Sequence, residues 1–141
     1  MAALSVHTQS KKRKILLAIT GASGMLFVPP FIDLLATTED DIVLHGICSE
    51  SGENVLKHEL ALHPAQLQAV SKWFDINDFN AAPASGSSGY DAMVVLPCTM
   101  GTLGAIAAGL SQNLIHRAAD VVLKERKNLI LAVRETPFNR T

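Results

Sequence analysis

The sequence predicts a single α/β domain in which helices cover a parallel sheet. Short continuous apolar runs recur at residues 15–19 (ILLAI), 42–47 (IVLHGI), 92–96 (AMVVL) and 129–133 (LILAV), as strands inside a helix-covered sheet do. Each run is separated from the next by enough chain for a crossover helix, which parallel pairing requires. A length of 141 residues suits one compact core.

The elements follow in order. Residues 1–13 are expected to form a flexible lead, with Lys11, Lys12, Arg13 and Lys14 as a solvated approach to the first strand. The domain proper then covers residues 14–141. The run at 15–19 reads as a strand buried on both faces and closed by the turn Thr20-Gly21-Ala22-Ser23-Gly24. Pro29 and Pro30 fall inside the helix expected next, so that helix starts late or is kinked. After the strand at 42–47, residues 52–62 read as a helix, and His63-Pro64 as the start of another, Pro64 suiting a first helical position. Residues 77–90 (NDFNAAPASGSSGY) form a loop rich in Asn, Pro, Ser and Gly, of a length that usually serves function. Beyond the strand at 92–96, Met100, Leu103, Ile106, Ala107 and Leu110 recur at helical spacing as a core-facing stripe ended by Gly109. A second stripe of Leu114, Ile115, Ala118, Val122 and Leu123 follows, opened by Ser111 or Gln112. The run at 129–133 is the last strand.

Composition narrows the function. Twelve basic and thirteen acidic residues leave a net charge of −1, which argues against a bulk electrostatic grip on nucleic acid or anionic lipid. Cys48 and Cys98 lie far apart in apolar runs, favouring buried thiols in a reducing compartment over a disulfide or a zinc site. No apolar stretch reaches the ~18 residues that span a bilayer, and MAALSVHTQS lacks the apolar core of a secretory signal. A soluble cytoplasmic protein without a metal is the expectation. Asn139-Arg140-Thr141 is a glycosylation sequon by spelling only.

In an open parallel sheet, ligands bind at the carboxyl ends of strands, near helix N-termini. Four segments should share that rim: Gly21-Ala22-Ser23-Gly24, Ser49, Pro97-Cys98-Thr99-Met100-Gly101-Thr102 and Arg134-Glu135-Thr136-Pro137. Amides and hydroxyls in such turns attract phosphate, helped by the helix dipole, although Gly-Ala-Ser-Gly alone serves equally as a helix cap. Neither G-x-G-x-x-G nor G-x-x-x-x-G-K-[ST] occurs, against a dinucleotide-dependent dehydrogenase or a nucleotide hydrolase. Arg134 and Glu135 put opposite charges side by side at the rim, as a functional or merely a surface pair. Arg117 and Lys124, two helical turns apart, share a face with Glu125 nearby, which by itself reads as solvated. His45, His58, His63 and His116 show no ligand spacing, and His45 reads as a satisfied core histidine. Cys98 beside a helix N-terminus could be a nucleophile, but a small buried residue fits better.

Taken together, these motifs resemble the flavin prenyltransferases of UbiX type, within the homo-oligomeric flavin-binding decarboxylase-like proteins. The resembling segments run in order: ITGASG at 19–24, residues 49–59, PASGSS at 83–88, PCTMGTLGAIAAGL at 97–110, NLIHRAADVVLKER at 113–126 and LAVRETPF at 131–138. The resemblance implies a flavodoxin-like three-layer sandwich with a parallel, Rossmann-like sheet, assembled as a dodecamer with active sites between subunits. It also implies that reduced FMN is a substrate, which receives a dimethylallyl group from dimethylallyl phosphate at N5 and then C6. The prenylated FMN then passes to a UbiD-type decarboxylase.

Carried over by position, the resemblance makes Gly21, Ala22, Ser23, Ser49, Thr99, Met100, Gly101, Thr102 and Arg134 the FMN contacts. Glu59 and Glu135 resemble the acid/base carboxylates, Glu135 protonating the departing phosphate and Glu59 helping proton removal at ring closure. Arg117 and Lys124 resemble the cations that hold the prenyl phosphate, across a subunit boundary. Two departures stand out: Pro29-Pro30 after GASG, and a chain that stops soon after RETPF where the family continues, which makes the domain C-terminally incomplete. Two alternatives accompany this reading: a flavin-dependent cysteine decarboxylase, whose relatives carry PASANT in place of PASGSS, and a non-catalytic FMN-binding subunit.

Overall fold

The computed structural model describes residues 12–140. Residues 1–11 of the expected lead and Thr141 of the sequon lie outside the described residues. In chain order the elements are β1 (Arg13–Ile19), α1 (Val28–Ala36), β2 (Ile42–Cys48), α2 (Glu50–Leu60), β3 (Val70–Phe74), β4 (Ala92–Cys98), α3 (Met100–Ala107), α4 (Leu114–Lys124) and β5 (Asn128–Val133). The strands form one parallel sheet in the order β3-β2-β1-β4-β5. β1 is central because its seven residues, RKILLAI, are apolar on both faces after the two leading charges.

Side-chain alternation along β1 divides the core into two layers. Leu17 and Ile19 pack with Met25, Val28, Ile32, Leu44 and Leu56 beneath α1 and α2. Leu16 and Ala18 pack with Met93, Val95, Leu114, Ile115, Ala118 and Val122 beneath α4. Each fully buried Leu or Ile removes apolar area worth about 1.5–3 kcal/mol, so both layers hold the sheet. This is the flavodoxin-like three-layer α/β architecture that the sequence leads one to expect.

Several elements differ from expectation. Pro64 does open a helical segment, capped by His63, but it is a single 3-10 turn, Pro64–Gln66. The chain then enters β3, whose Val70, Trp73 and Phe74 suit a pleated surface. The Trp73 ring lies over Gly46 of β2, where a Cβ would collide with it. The helix after β1 starts late: a 3-10 turn at Met25–Phe27 precedes α1. Pro29 and Pro30 thereby fall in the first turn, where N–H groups have no helical partner to lose. α2 begins at Glu50, two residues before the expected start, because Ser49 caps it by accepting the Gly52 N–H at 2.9 Å. α4 opens at Asn113, whose Oδ1 accepts the His116 N–H, and not at Ser111 or Gln112.

Burial also departs from the pattern. Leu123 is 52% exposed although it follows the stripe of α4. The α3 stripe is only partly covered: Leu103 and Ile106 pack at the margin of the core, Ala107 is exposed and Leu110 is 44% exposed. α3 is barely two turns long and packs chiefly against α4, so most of its surface faces outward. β5 is an edge strand that is half-buried on the α4 side and exposes Ile130 on the other, unlike the doubly buried β1. The 77–90 loop is irregular as expected, with 3-10 turns at Ala82–Ala84 and Gly86–Ser88. It carries the chain from the carboxyl end of β3 to the amino end of β4, where Asp91 accepts the Lys14 N–H at 2.9 Å.

Candidate functional site

Three strand ends converge on one cavity. β1 ends in the turn Gly21-Ala22-Ser23, β4 runs into Thr99 and α3, and β5 leads to Arg134, Glu135 and Thr136. Together with Met100, these residues line a cavity of about 400 Å³ at the carboxyl edge of the sheet. Thr99 caps α3: its Oγ1 accepts the Thr102 N–H at 3.0 Å and its hydroxyl bonds the Thr102 hydroxyl at 2.8 Å. The remaining first-turn amides of α3, including Gly101 N–H, have no intrahelical acceptor and form the positive end of its dipole. Arg134 crosses to the other wall and donates from Nη1 to Ser23 Oγ at 2.6 Å. One guanidinium therefore stands beside a turn of small residues, with the Glu135 carboxylate adjacent in the chain.

Ser49 and Glu59 flank this cavity rather than line it. The Ser49 hydroxyl is engaged as the cap of α2 and bonds Ser51 Oγ at 3.2 Å. Ser51 presses on Gly21, where a Cβ would stand 2.5 Å from Ser51 Cβ, so only glycine allows the β1 turn to approach α2 this closely. Glu59, at the end of α2, reaches back to the β1 turn, and its Oε2 accepts the Met25 N–H at 2.9 Å and the Gly24 N–H at 3.3 Å. Gly24 adopts φ 110°, a left-handed conformation that presents these amides.

Arg117 and Lys124 are not brought to this cavity. α4 runs back along the sheet, so Lys124 lies toward the amino edge, just before β5 starts beside Ala92. Arg117 donates from Nε to Ala84 O at 3.3 Å and pairs with Asp120 at 3.8 Å. The same flank carries the rest of PASGSS: Gly86 abuts the Glu125 side chain, and Ser88 O accepts from Lys14 Nζ at 2.9 Å. Arg117 and Lys124 thus lie two turns apart on α4, outside the cavity lined by the β1 turn, Thr99, Met100 and Arg134.

Cys98, Cys48 and His45 do not line the cavity. Burial pushes the Cys98 thiol up to about 11, partly offset by a backbone hydrogen bond from Leu103. Burial and the nearby Glu53 push Cys48 up to about 12. Neither is a thiolate nucleophile near neutrality. His45, half-buried on β2, bonds the hydroxyl of the core residue Tyr90 at 2.7 Å and so has a partner. Among the described residues no three His, Cys, Asp or Glu side chains group to hold a metal, and no helix is long and apolar enough to cross a membrane.

Thr20, the second residue of ITGASG, is not among the expected contacts and does not line the cavity, yet it joins two of its walls. It is 3% exposed, and its hydroxyl links the ends of β1 and β4. Its place beside Gly21 in ITGASG is the signal the sequence carries for it.

The fold and the cavity define an α/β protein that offers backbone amides, hydroxyls and one guanidinium to an anion at the switch point of a parallel sheet. The chain matches the Flavoprotein family over residues 3–141, and it belongs to that family, among the UbiX-type proteins. It is 41% identical over 127 residues to flavin prenyltransferase UbiX of Methanocaldococcus jannaschii, covering 89% of this chain and 67% of that protein. It is 42% identical over 146 residues to flavin prenyltransferase UbiX of Pseudomonas aeruginosa, covering 92% and 68%. The chain thus spans about two thirds of the length of these relatives. Among solved structures, AnUbiX (PadA1) in complex with FMN and dimethylallyl pyrophosphate superposes with a TM-score of 0.87 at 37% identity, covering 92% of this chain and 69% of that one. A dodecameric FMN-dependent UbiX-like decarboxylase from Escherichia coli O157:H7 gives 0.85 at 31% identity, covering 90% and 69%.

Proposed function

We propose that residues 14–141 are the flavin-binding domain of a UbiX-type flavin prenyltransferase, working in the cytoplasm without a metal. Its substrates are reduced FMN and a dimethylallyl phosphate, and its product passes to a UbiD-type decarboxylase. The observation that carries this reading is the cavity in which the β1 turn and the N-terminus of α3 face the Arg134–Glu135 pair. Gly21, Ala22, Ser23, Thr99, Met100, Gly101 and Thr102 hold the flavin and its phosphate through amides and hydroxyls, with Arg134 as counter-charge. Ser49 supports the turn from the α2 side.

The chemistry exchanges one bond for another. The carbon–oxygen bond of the allyl phosphate breaks with its electron pair going to phosphate, while the allyl carbon joins flavin N5. The proton on N5 leaves as that bond forms, and closing the ring at C6 then adds a proton to the allyl double bond and releases the one on C6. Developing phosphate charge is what the site must stabilise, and a cation at about 4 Å in an effective dielectric near 20 supplies roughly 4 kcal/mol of Coulomb attraction. Only the excess of that attraction in the transition state accelerates the reaction. Glu135 protonates the departing phosphate, and Glu59, anchored through Oε2 on two amides, directs its free oxygen to the ring-closing proton. Arg117 and Lys124 lie on the other flank of the chain, so they serve a cavity completed by a neighbouring subunit, in a homo-oligomer such as the dodecamer named for the E. coli relative.

Anaerobic incubation with reduced FMN and either dimethylallyl phosphate or its pyrophosphate tests the reading. A flavin heavier by one prenyl unit in mass spectrometry is expected, and Glu135→Gln should keep FMN bound while slowing product formation. An unchanged flavin mass with both donors, using the longest form of the protein, refutes the assignment.

A further inference from the structure

We infer that Thr20 is a positioning residue for the flavin site, its hydroxyl fixing the spacing between the β1 turn and the N-terminus of α3. The inference rests on the flavin-binding reading above. The Thr20 hydroxyl donates to Pro97 O at 2.7 Å and accepts the Thr99 N–H at 2.9 Å, while the Thr20 N–H donates to Pro97 O at 3.2 Å. A hydroxyl has one proton, and here it is committed on one side while a lone pair is committed on the other. The side chain is 3% exposed, so water does not compete for either partner.

What these bonds join is the reason for assigning Thr20 a part in the site. Gly21, the next residue, begins one wall of the cavity, and Thr99, the acceptor of the Thr102 N–H, begins the other. The hydrogen bonds run without a break from Pro97 O through Thr20 to Thr99 and on to Thr102. Thr20 does not line the cavity itself, so it acts through Gly21 and Thr99. Without the hydroxyl, the Thr99 N–H must turn toward water, which rotates the first turn of α3 away from the β1 turn. An anion held between the two walls would then have to restore their spacing on binding.

The test is a titration with FMN, followed by flavin fluorescence, well below the melting temperature of each variant. Thr20→Val keeps the shape and loses the hydroxyl, and it is expected to bind FMN about tenfold more weakly, roughly 1.4 kcal/mol. Thr20→Ser keeps the hydroxyl and is expected to bind within about twofold of the original chain. Val122→Ala, a core truncation under α4 remote from the cavity, lowers stability and should leave FMN affinity unchanged. Equal binding by Thr20→Val overturns the inference, as does a Thr20→Ser variant tenfold weakened, or Val122→Ala losing affinity in step with its stability. Thr20→Ala takes the place of Thr20→Val if that variant does not fold, and the serine variant decides against the inference by itself. Failure of the unaltered chain to bind FMN sinks the flavin reading and this inference with it, whereas tight binding by both it and Thr20→Val sinks the inference alone.

Discussion

Gly21→Ala is the sharpest perturbation of the cavity, because its cost can be worked from three contacts. An added Cβ would lie 2.5 Å from Ser51 Cβ, 2.5 Å from Ser51 Oγ and 3.0 Å from the Ser51 carbonyl carbon. Carbon atoms pack comfortably at about 3.5–4.0 Å, so the β1 turn and α2 must separate by roughly 1 Å. α2 cannot swing freely, since the Ser49 N–H donates to Ile19 O at 3.0 Å and the Ser49 hydroxyl caps the helix. Overpacking of this kind costs about 1–3 kcal/mol. For a chain of this size that corresponds to a fall of about 4–10 °C in melting temperature. FMN affinity should fall as well, because the displaced turn is one wall of the cavity. Thermal unfolding by circular dichroism and an FMN titration measure the two effects. The double variant Gly21→Ala/Ser51→Gly removes both obstructing side-chain atoms and should regain most of the lost stability, less about 0.5–1 kcal/mol for a glycine in the first turn of α2. A single variant melting within a degree of the original, or a double variant that regains nothing, would refute the steric argument.

Two further outcomes are expected. Burial, reinforced by Lys14 and Lys72, lowers the pKa of His45 below 6.5, and burial lowers that of His116. The unfolded chain therefore takes up these protons first. The stabilisation is complete above about pH 6.5 and declines as pH falls through that value toward the folded-state pKa values. Urea midpoints should be level from pH 8 to 7 and drop toward pH 5.5, less steeply in His45→Gln, and a flat profile counts against the argument. With the thiols pushed up to about 12 and about 11, Cys48 and Cys98 should resist iodoacetamide in the native protein at pH 8 and react on unfolding; rapid native labelling of Cys98 would restore it as a nucleophile.

How much of this was legible in the sequence depended on how local the cause was. The four apolar runs announced themselves because strands under helices need no alternation, and the glycine and hydroxyl residues just beyond them fixed the rim. β3 was hidden because Ser71 and Lys72 are exposed on an edge strand, breaking the apolar run, while Pro64 gave a true helix-start signal for a segment only one turn long. The stripe of α3 looked like core because periodicity reports a face and not what covers it. Arg117 and Lys124 were correctly placed on one helix, yet nothing in their spacing says that the helix carries them away from Arg134. The Glu59 contact with Gly24 and Met25 and the Thr20 link to Pro97 and Thr99 join residues 34 to 79 positions apart. Only the folded chain creates such neighbours.

The sheet order has a consequence for how the cavity breathes. β1, paired on both sides, should surrender its amide protons to deuterium last, whereas β5, bonded among the described residues to β4 alone, should surrender them early. The wall that follows β1 therefore hangs from the strand expected to exchange last, and the wall bearing Arg134 and Glu135 from one expected to exchange early.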